Sequence, residues 1–195
     1  SKWCGAGGWR LGLFVFPPGL RWLQDAMAAV GTETFTSTCA PIQHAAIKAF
    51  EEGPEITRYL LHVRRVLRTL GSLLAARVRE TGAEVLDPAG AFYLFPDFSP
   101  LADSMRSRGI TTSVEMCERL LEDTGVAVLH GVDFGRPPEE LTMRIAYVDL
   151  DGEAVLSASE ELPLDRPLPD DFAAKHCGRV IEAIDRLCEW VEDIR

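Results

Sequence analysis

The first twelve residues read Ser1-Lys2-Trp3-Cys4-Gly5-Ala6-Gly7-Gly8-Trp9-Arg10-Leu11-Gly12. Lys2 and Arg10 stand eight positions apart, with glycines at 5, 7 and 8 between them and another at 12. A lysine amine condenses with an aldehyde to a Schiff base once burial or neighbouring charge has depressed its pKa. An arginine presents a rigid fork of donors suited to a phosphate. The pair therefore suits the two ends of pyridoxal phosphate, with the aldehyde at Lys2 and the phosphate at Arg10. Glycines between them allow backbone dihedrals and close approaches that other residues resist.

Outward from this stretch, composition narrows the function classes. The chain has 195 residues, 47% of them hydrophobic, enough to build a core. Its formal net charge of −10 leaves no basic stripe to neutralise nucleic-acid phosphates. Arg64, Arg65, Arg68, Arg77 and Arg79 cluster at helical spacing and read as a solvated face. Cys4, Cys39, Cys117, Cys177 and Cys188 are odd in number and lack C-x-x-C spacing, which suggests neither a disulfide framework nor a zinc site. His44, His62, His130 and His176 form no ligand pair, so no metal is expected. No apolar run approaches the roughly 20 residues needed to span a bilayer. A cytoplasmic protein without a membrane partner is the expectation.

Periodicity then divides the chain. Residues 11–16 form a short apolar run ended by Pro17-Pro18 and read as a buried strand. A helix is expected over 18–30, a threonine-rich loop over 31–38, and a helix from Pro41 to Phe50 stopped by Glu51-Glu52-Gly53. Pro54 opens a long helix, with Ile56, Tyr59, Val63, Val66, Leu70 and Leu74 on its stripe and Gly82 ending it. Short strands are expected at 84–86, 91–95, 126–129 and 142–148, and helices at 113–123, 152–162 and 172–195, with 163–171 as a proline-rich link. Long helix, antiparallel strands, then helix is an α+β layer arrangement.

One residue in that pattern stands out. Arg144 lies mid-strand in Met143-Arg144-Ile145-Ala146-Tyr147, and an arginine there needs an anion, a carboxylate partner or water.

The Ser1–Gly12 stretch resembles the S-K-x-x-x-x-x-G-W-R-x-G signature of the class I and II aminotransferases, fold type I of the pyridoxal-phosphate enzymes. Further matches follow in order. Gly90-Ala91-Phe92-Tyr93-Leu94-Phe95-Pro96 is similar to the strand lining the family's substrate pocket. Val126 to Gly135 is similar to its V-P-G-x-x-F-G loop, with His130 where proline is usual. Met143 to Tyr147 is similar to the strand whose arginine holds the substrate α-carboxylate. The resemblance implies that Lys2 is the cofactor lysine and proton shuttle, that Arg10 binds the cofactor phosphate, and that Arg144 and Phe92 meet the substrate. Tyr93 is a candidate beside Phe92. A general-base role for His130 is set aside, because Lys2 fills it.

The same resemblance implies the end of an α/β large domain with the interdomain helix over 1–50 and an α+β small domain over 51–195. It implies a homodimeric transaminase exchanging an amino group between an amino acid and a 2-oxo acid. The family's remaining cofactor contacts, an aspartate at the pyridine nitrogen among them, precede the lysine. The chain therefore reads as the carboxy-terminal half of a longer enzyme, nearly inert alone. Related lyases or synthases, a MocR-type regulator's sensing domain and a non-catalytic remnant are the alternative readings.

Overall fold

A computed structural model describes residues 2–51 and 53–195. Ser1, which opens the lysine motif, and Glu52, in the expected 51–53 stop, lie outside the described residues. The chain divides into two compact units, residues 1–60 and 61–195.

In the first unit, 3₁₀ turns at Gly7–Trp9 and Pro18–Leu20 precede helix α1 (Arg21–Thr34) and helix α2 (Ala40–Phe50). Helix α1 outruns the expected end at residue 30. Thr32 and Thr34 fold their hydroxyls onto the Ala29 and Val30 carbonyls at 2.7 and 2.8 Å. The hydroxyls thus find acceptors within the helix, and a segment that composition alone reads as loop is helical to Thr34. Pro41 occupies the first turn of α2, where its missing N–H costs nothing.

The buried strand expected at 11–16 is overturned. No described residue of the first unit lies in a strand, so nothing there offers 11–16 a ladder. Leu13, Phe14 and Val15 are 63, 71 and 83% exposed. None of the unit's described residues is fully buried, so an apolar run here does not mark a core.

Helix α3 (Pro54–Glu80) begins in the first unit and continues into the second. Within the second unit its stripe buries Val66, Leu70, Leu74 and Val78. Gly82, at φ +93°, ends it in a conformation that only glycine adopts without strain. After it come strand β1 (Tyr93–Leu94), helix α4 (Ala102–Ser107), helix α5 (Ser113–Thr124), strand β2 (Leu129–His130) and strand β3 (Met143–Ala146). Helices α6 (Gly152–Glu160), α7 (Phe172–His176) and α8 (Gly178–Ile194) follow. Thr112 and Glu115 close a reciprocal capping box at the start of α5.

The sheet is antiparallel in the order β1-β3-β2, with Tyr93 opposite Ala146, Leu94 opposite Ile145, and Leu129 opposite Arg144. Side chains alternate across a strand. One face thus carries Leu94, Met143 and Ile145 into the core, and the other carries Tyr93, Arg144, Ala146 and Leu129. The core is closed by the buried faces of α3, α5 and α8, the last through Val180, Ile184, Leu187 and Val191. Helices and a small antiparallel sheet make this unit α+β. No helix among the described residues is long and apolar enough to cross a membrane.

Several boundaries differ from expectation. The strand at 91–95 shrinks to two residues, because Ala91 sits at φ +59° and Pro96 has no N–H to donate. The segment 84–86 contributes a single bridge, Glu84 to Asp97, and 126–129 joins the ladder only from Leu129. Val126 and Val128 spend their apolar surface on the core instead. Thr142, at the start of the strand expected over 142–148, is buried ahead of β3 and forms an isolated bridge with Asp97. The helix expected over 172–195 breaks at Cys177, whose burial beside Gly178 turns the chain between α7 and α8.

The 163–171 segment is not a free link. Leu168 is buried in the core, and Arg65 Nη1 donates to the Pro163 carbonyl at 2.6 Å. Arg65 Nη2 also donates to Ser159 Oγ at 2.9 Å, beside the buried His62. Arg77 pairs with Asp185, and Arg79 with Asp87 and the Val85 carbonyl. These three arginines tie α3 to its neighbours; Arg64 and Arg68 alone fit a solvated face.

Gly71 offers a direct test of this packing. A Cβ built there meets Pro88 Cγ and Tyr147 Oη, each at 2.7 Å. Alanine should gain about 1 kcal/mol in helix propensity but lose about 1–3 kcal/mol to overpacking. Gly71→Ala is therefore expected to lower the chemical-denaturation midpoint with an unchanged slope. A raised midpoint would show that Tyr147 does not rest on α3.

Candidate functional site

Lys2 opens a tight turn in which the Gly5 N–H donates to the Lys2 carbonyl at 3.3 Å. Gly5 holds φ +70°, and a Cβ there would lie 2.4 Å from Tyr59 Oη. Only glycine therefore lets the first turns of α3 pack this closely under the lysine turn. Burial, and then the nearby Cys4, raise the Tyr59 phenol above its usual range, so it stays neutral. The Lys2 side chain itself is exposed.

Arg10 follows the 3₁₀ turn in the left-handed region, at φ 57°, ψ 45°. Non-glycine residues seldom sit there, and strain of that kind gathers at functional positions. Arg10 Nη1 donates to the Gly7 carbonyl at 3.2 Å, folding an exposed side chain back over the glycine turn. Cβ atoms built on Gly7, Gly8 or Gly12 would meet nothing within 4 Å, so the backbone stands open to an approaching group. An amine for an aldehyde, a guanidinium for a phosphate and open backbone between them fit pyridoxal phosphate by donor chemistry. Beside this turn, Trp3, Trp9, Ile42 and Phe50 line an apolar cavity of about 150 Å³.

Arg144 occupies the open face of the sheet in the second unit. Its guanidinium carbon lies 4.5 Å from the ring centroids of both Tyr93 and Phe134. Its Nε is buried and has no hydrogen-bond partner among the described residues. No described carboxylate pairs with it. A buried charged donor left unpaired is costly, so the arrangement suits an incoming anion.

The loop carrying Phe134 is held by close contacts. The Gly131 N–H donates to the Thr142 carbonyl at 2.8 Å, and a Cβ on Gly131 would sit 1.9 Å from Thr142 Oγ1. Gly135, at φ +76°, closes the turn. His130 Nδ1 lies 3.3 Å from Asp133 Oδ2, within ion-pair range but not aligned for a hydrogen bond. The Cys117 thiol is pushed up to about 12, chiefly by burial and then by Asp133 and Glu118, and stays protonated at neutral pH.

Lys2 and Arg10 thus share one unit, and Phe92, Tyr93 and Arg144 share the other. Phe92 is half-buried against the core, and its ring lies 4.5 Å from that of Tyr93. The ring touching Arg144 is Tyr93's, not Phe92's. Phe134 lies inside the 126–135 loop, where the sequence alone gives it no distinguishing signal. Strand register puts Tyr93 on the face of Arg144, and register is not written in a single short apolar run.

The fold of the chain is that of the aminotransferases. It superposes on an aromatic aminotransferase from Pyrococcus horikoshii with a TM-score of 0.65 at 25% identity, covering 99% of this chain and 41% of that one. Residues 1–159 match the profile of the family described as aminotransferase class I and II, and the chain belongs to that family. An asparagine–oxo-acid transaminase of Streptococcus mutans is 33% identical over 150 residues, 75% of this chain and 35% of that protein. An aspartate/prephenate aminotransferase of Cereibacter sphaeroides is 32% identical over 147 residues, 74% and 34% of the two chains. The chain spans about a third of the length of the curated relatives it matches.

Proposed function

We propose that this chain works as part of a pyridoxal-phosphate-dependent aminotransferase that exchanges an amino group between an amino acid and a 2-oxo acid. The observation that carries the reading is Arg144, a cation stacked on two rings with a buried donor awaiting an anion. The α-carboxylate common to both substrates is that anion. Lys2 Nζ would hold the cofactor aldehyde and would carry the proton at the substrate Cα. Arg10 holds the phosphate, and Phe92 lines the substrate pocket. When bound, pyridoxal phosphate supplies the electron sink for the charge left at Cα.

On this reading residues 1–50 finish the large domain and 51–195 form the small one, within a cytoplasmic homodimer. The complete protein, given an amino acid, a 2-oxo acid and pyridoxal phosphate, is expected to exchange the amino group at about 1–1000 per second. No exchange with any of the common amino acids would contradict the proposal.

Arg10→Gln should weaken cofactor binding while leaving Lys2 able to react. Losing a charge-assisted contact is worth about 1.5–3 kcal/mol, ten- to a hundredfold in affinity. A fluorescence titration of the apoprotein with pyridoxal phosphate checks this. Unchanged affinity would move the phosphate contact away from Arg10.

A further inference from the structure

We propose that Tyr93 and Phe134 are positioning residues. They form an aromatic clamp that fixes the Arg144 guanidinium and offers only its edges to a planar carboxylate. The proposal rests on the reading of Arg144 as the carboxylate contact.

The clamp follows from sheet order. Arg144 lies on the central strand, Tyr93 on the strand to one side, and Phe134 on the loop continuing the strand to the other. Rings supplied from both flanks converge on one guanidinium carbon at 4.5 Å from each centroid. Arginine stacks on ring faces through its own planar face. Its in-plane N–H groups are then the donors left for a ligand, and Nε lacks a partner among the described residues.

The rings are themselves anchored. Phe134 meets Phe95 edge-on, with centroids 5.6 Å apart and planes at 90°. Tyr93 packs on Phe92, whose carbonyl accepts from the Tyr147 N–H at 3.1 Å, and Tyr147 is buried. Gly131 seats the Phe134 loop against Thr142 as described above. An arginine left free would have to surrender side-chain freedom on binding each substrate; one already stacked gives up less. The edge-on fork also favours a carboxylate, which accepts two parallel hydrogen bonds, over a carboxamide, which accepts through one oxygen only.

The test compares an amino acid with its primary amide, and the matching 2-oxo acid, as substrates of the complete protein. Phe134→Leu and Tyr93→Leu are each expected to raise KM for the amino acid and oxo acid about three- to tenfold. KM for the amide should move less than twofold, so the preference for carboxylate shrinks. Phe134→Tyr and Tyr93→Phe, which keep the rings, should restore it. Absorbance of the bound cofactor should not change. Should a leucine variant fail to fold, Phe134→Met keeps apolar volume without a ring and is expected to show the same selective rise.

Ringless variants whose carboxylate KM stays within twofold of wild type, while Arg144→Leu raises it, overturn the clamp and leave the role of Arg144 standing. Equal rises for acid and amide also overturn it, since they report general damage. If Arg144→Leu itself leaves both KM values unchanged, the carboxylate reading falls and the clamp with it.

Discussion

Lys2→Ala is expected to abolish turnover in the complete protein. The amine at Lys2 is proposed both to hold the cofactor aldehyde and to carry the proton at Cα. Removal of a positioned general base alone costs about 10²–10⁴-fold in rate, and loss of covalent attachment adds to this. The visible absorbance of attached cofactor should vanish, while pyridoxal phosphate should still bind weakly through Arg10. Stability should barely change, because the Lys2 side chain is exposed and exposed substitutions usually act within about 0.5 kcal/mol. Stopped-flow absorbance and a thermal melt measure the two separately. Turnover above about a tenth of wild type would show that another group performs the proton transfer.

Arg144→Leu is expected to raise KM for amino acid and oxo acid alike, about ten- to a hundredfold, the worth of a charge-assisted contact. Some of the loss should fall on kcat, because a carboxylate fixed at one end aims the Cα–H bond at Lys2, and misplacement slows the transfer. Cofactor affinity should hold, since Arg144 is not proposed to touch the phosphate. Leucine also removes the cation from between Tyr93 and Phe134, so a circular dichroism spectrum should accompany the kinetics. If both KM values stay within twofold of wild type, Arg144 is an arginine of the sheet and nothing more.

The parts of this molecule that could be read from residues alone are those governed by local rules. Helix α3 announces itself through apolar spacing from Ile56 to Leu74 and the glycine at 82, and α5 through an amphipathic run of twelve residues. Both periods survive because each helix closes its hydrogen bonds internally. Strands do not. The ends of β1 are set by the left-handed Ala91 and by Pro96, and Leu13, Phe14 and Val15 stay exposed in a unit whose described residues form no strand.

The candidate site divides in the same way. Lys2, Arg10 and Arg144 are legible as residue types in suggestive places. The stacked rings, the buried Nε and the Tyr59 contact that admits only glycine at position 5 arise from tertiary packing. The arginines of α3 show the converse error. Spacing alone made them a solvated face, yet Arg65, Arg77 and Arg79 meet partners distant in sequence or beyond the helix end.

Borohydride reduction of the cofactor-loaded complete protein, followed by mass-spectrometric mapping of the modified peptide, identifies the amine that holds the cofactor. Reduction fixes the pyridoxyl group on whichever amine held the aldehyde. A single modified peptide carrying the group on Lys2 is expected, and none in Lys2→Ala. A pyridoxyl group on Lys48, on Lys175 or on any lysine outside this chain would contradict it.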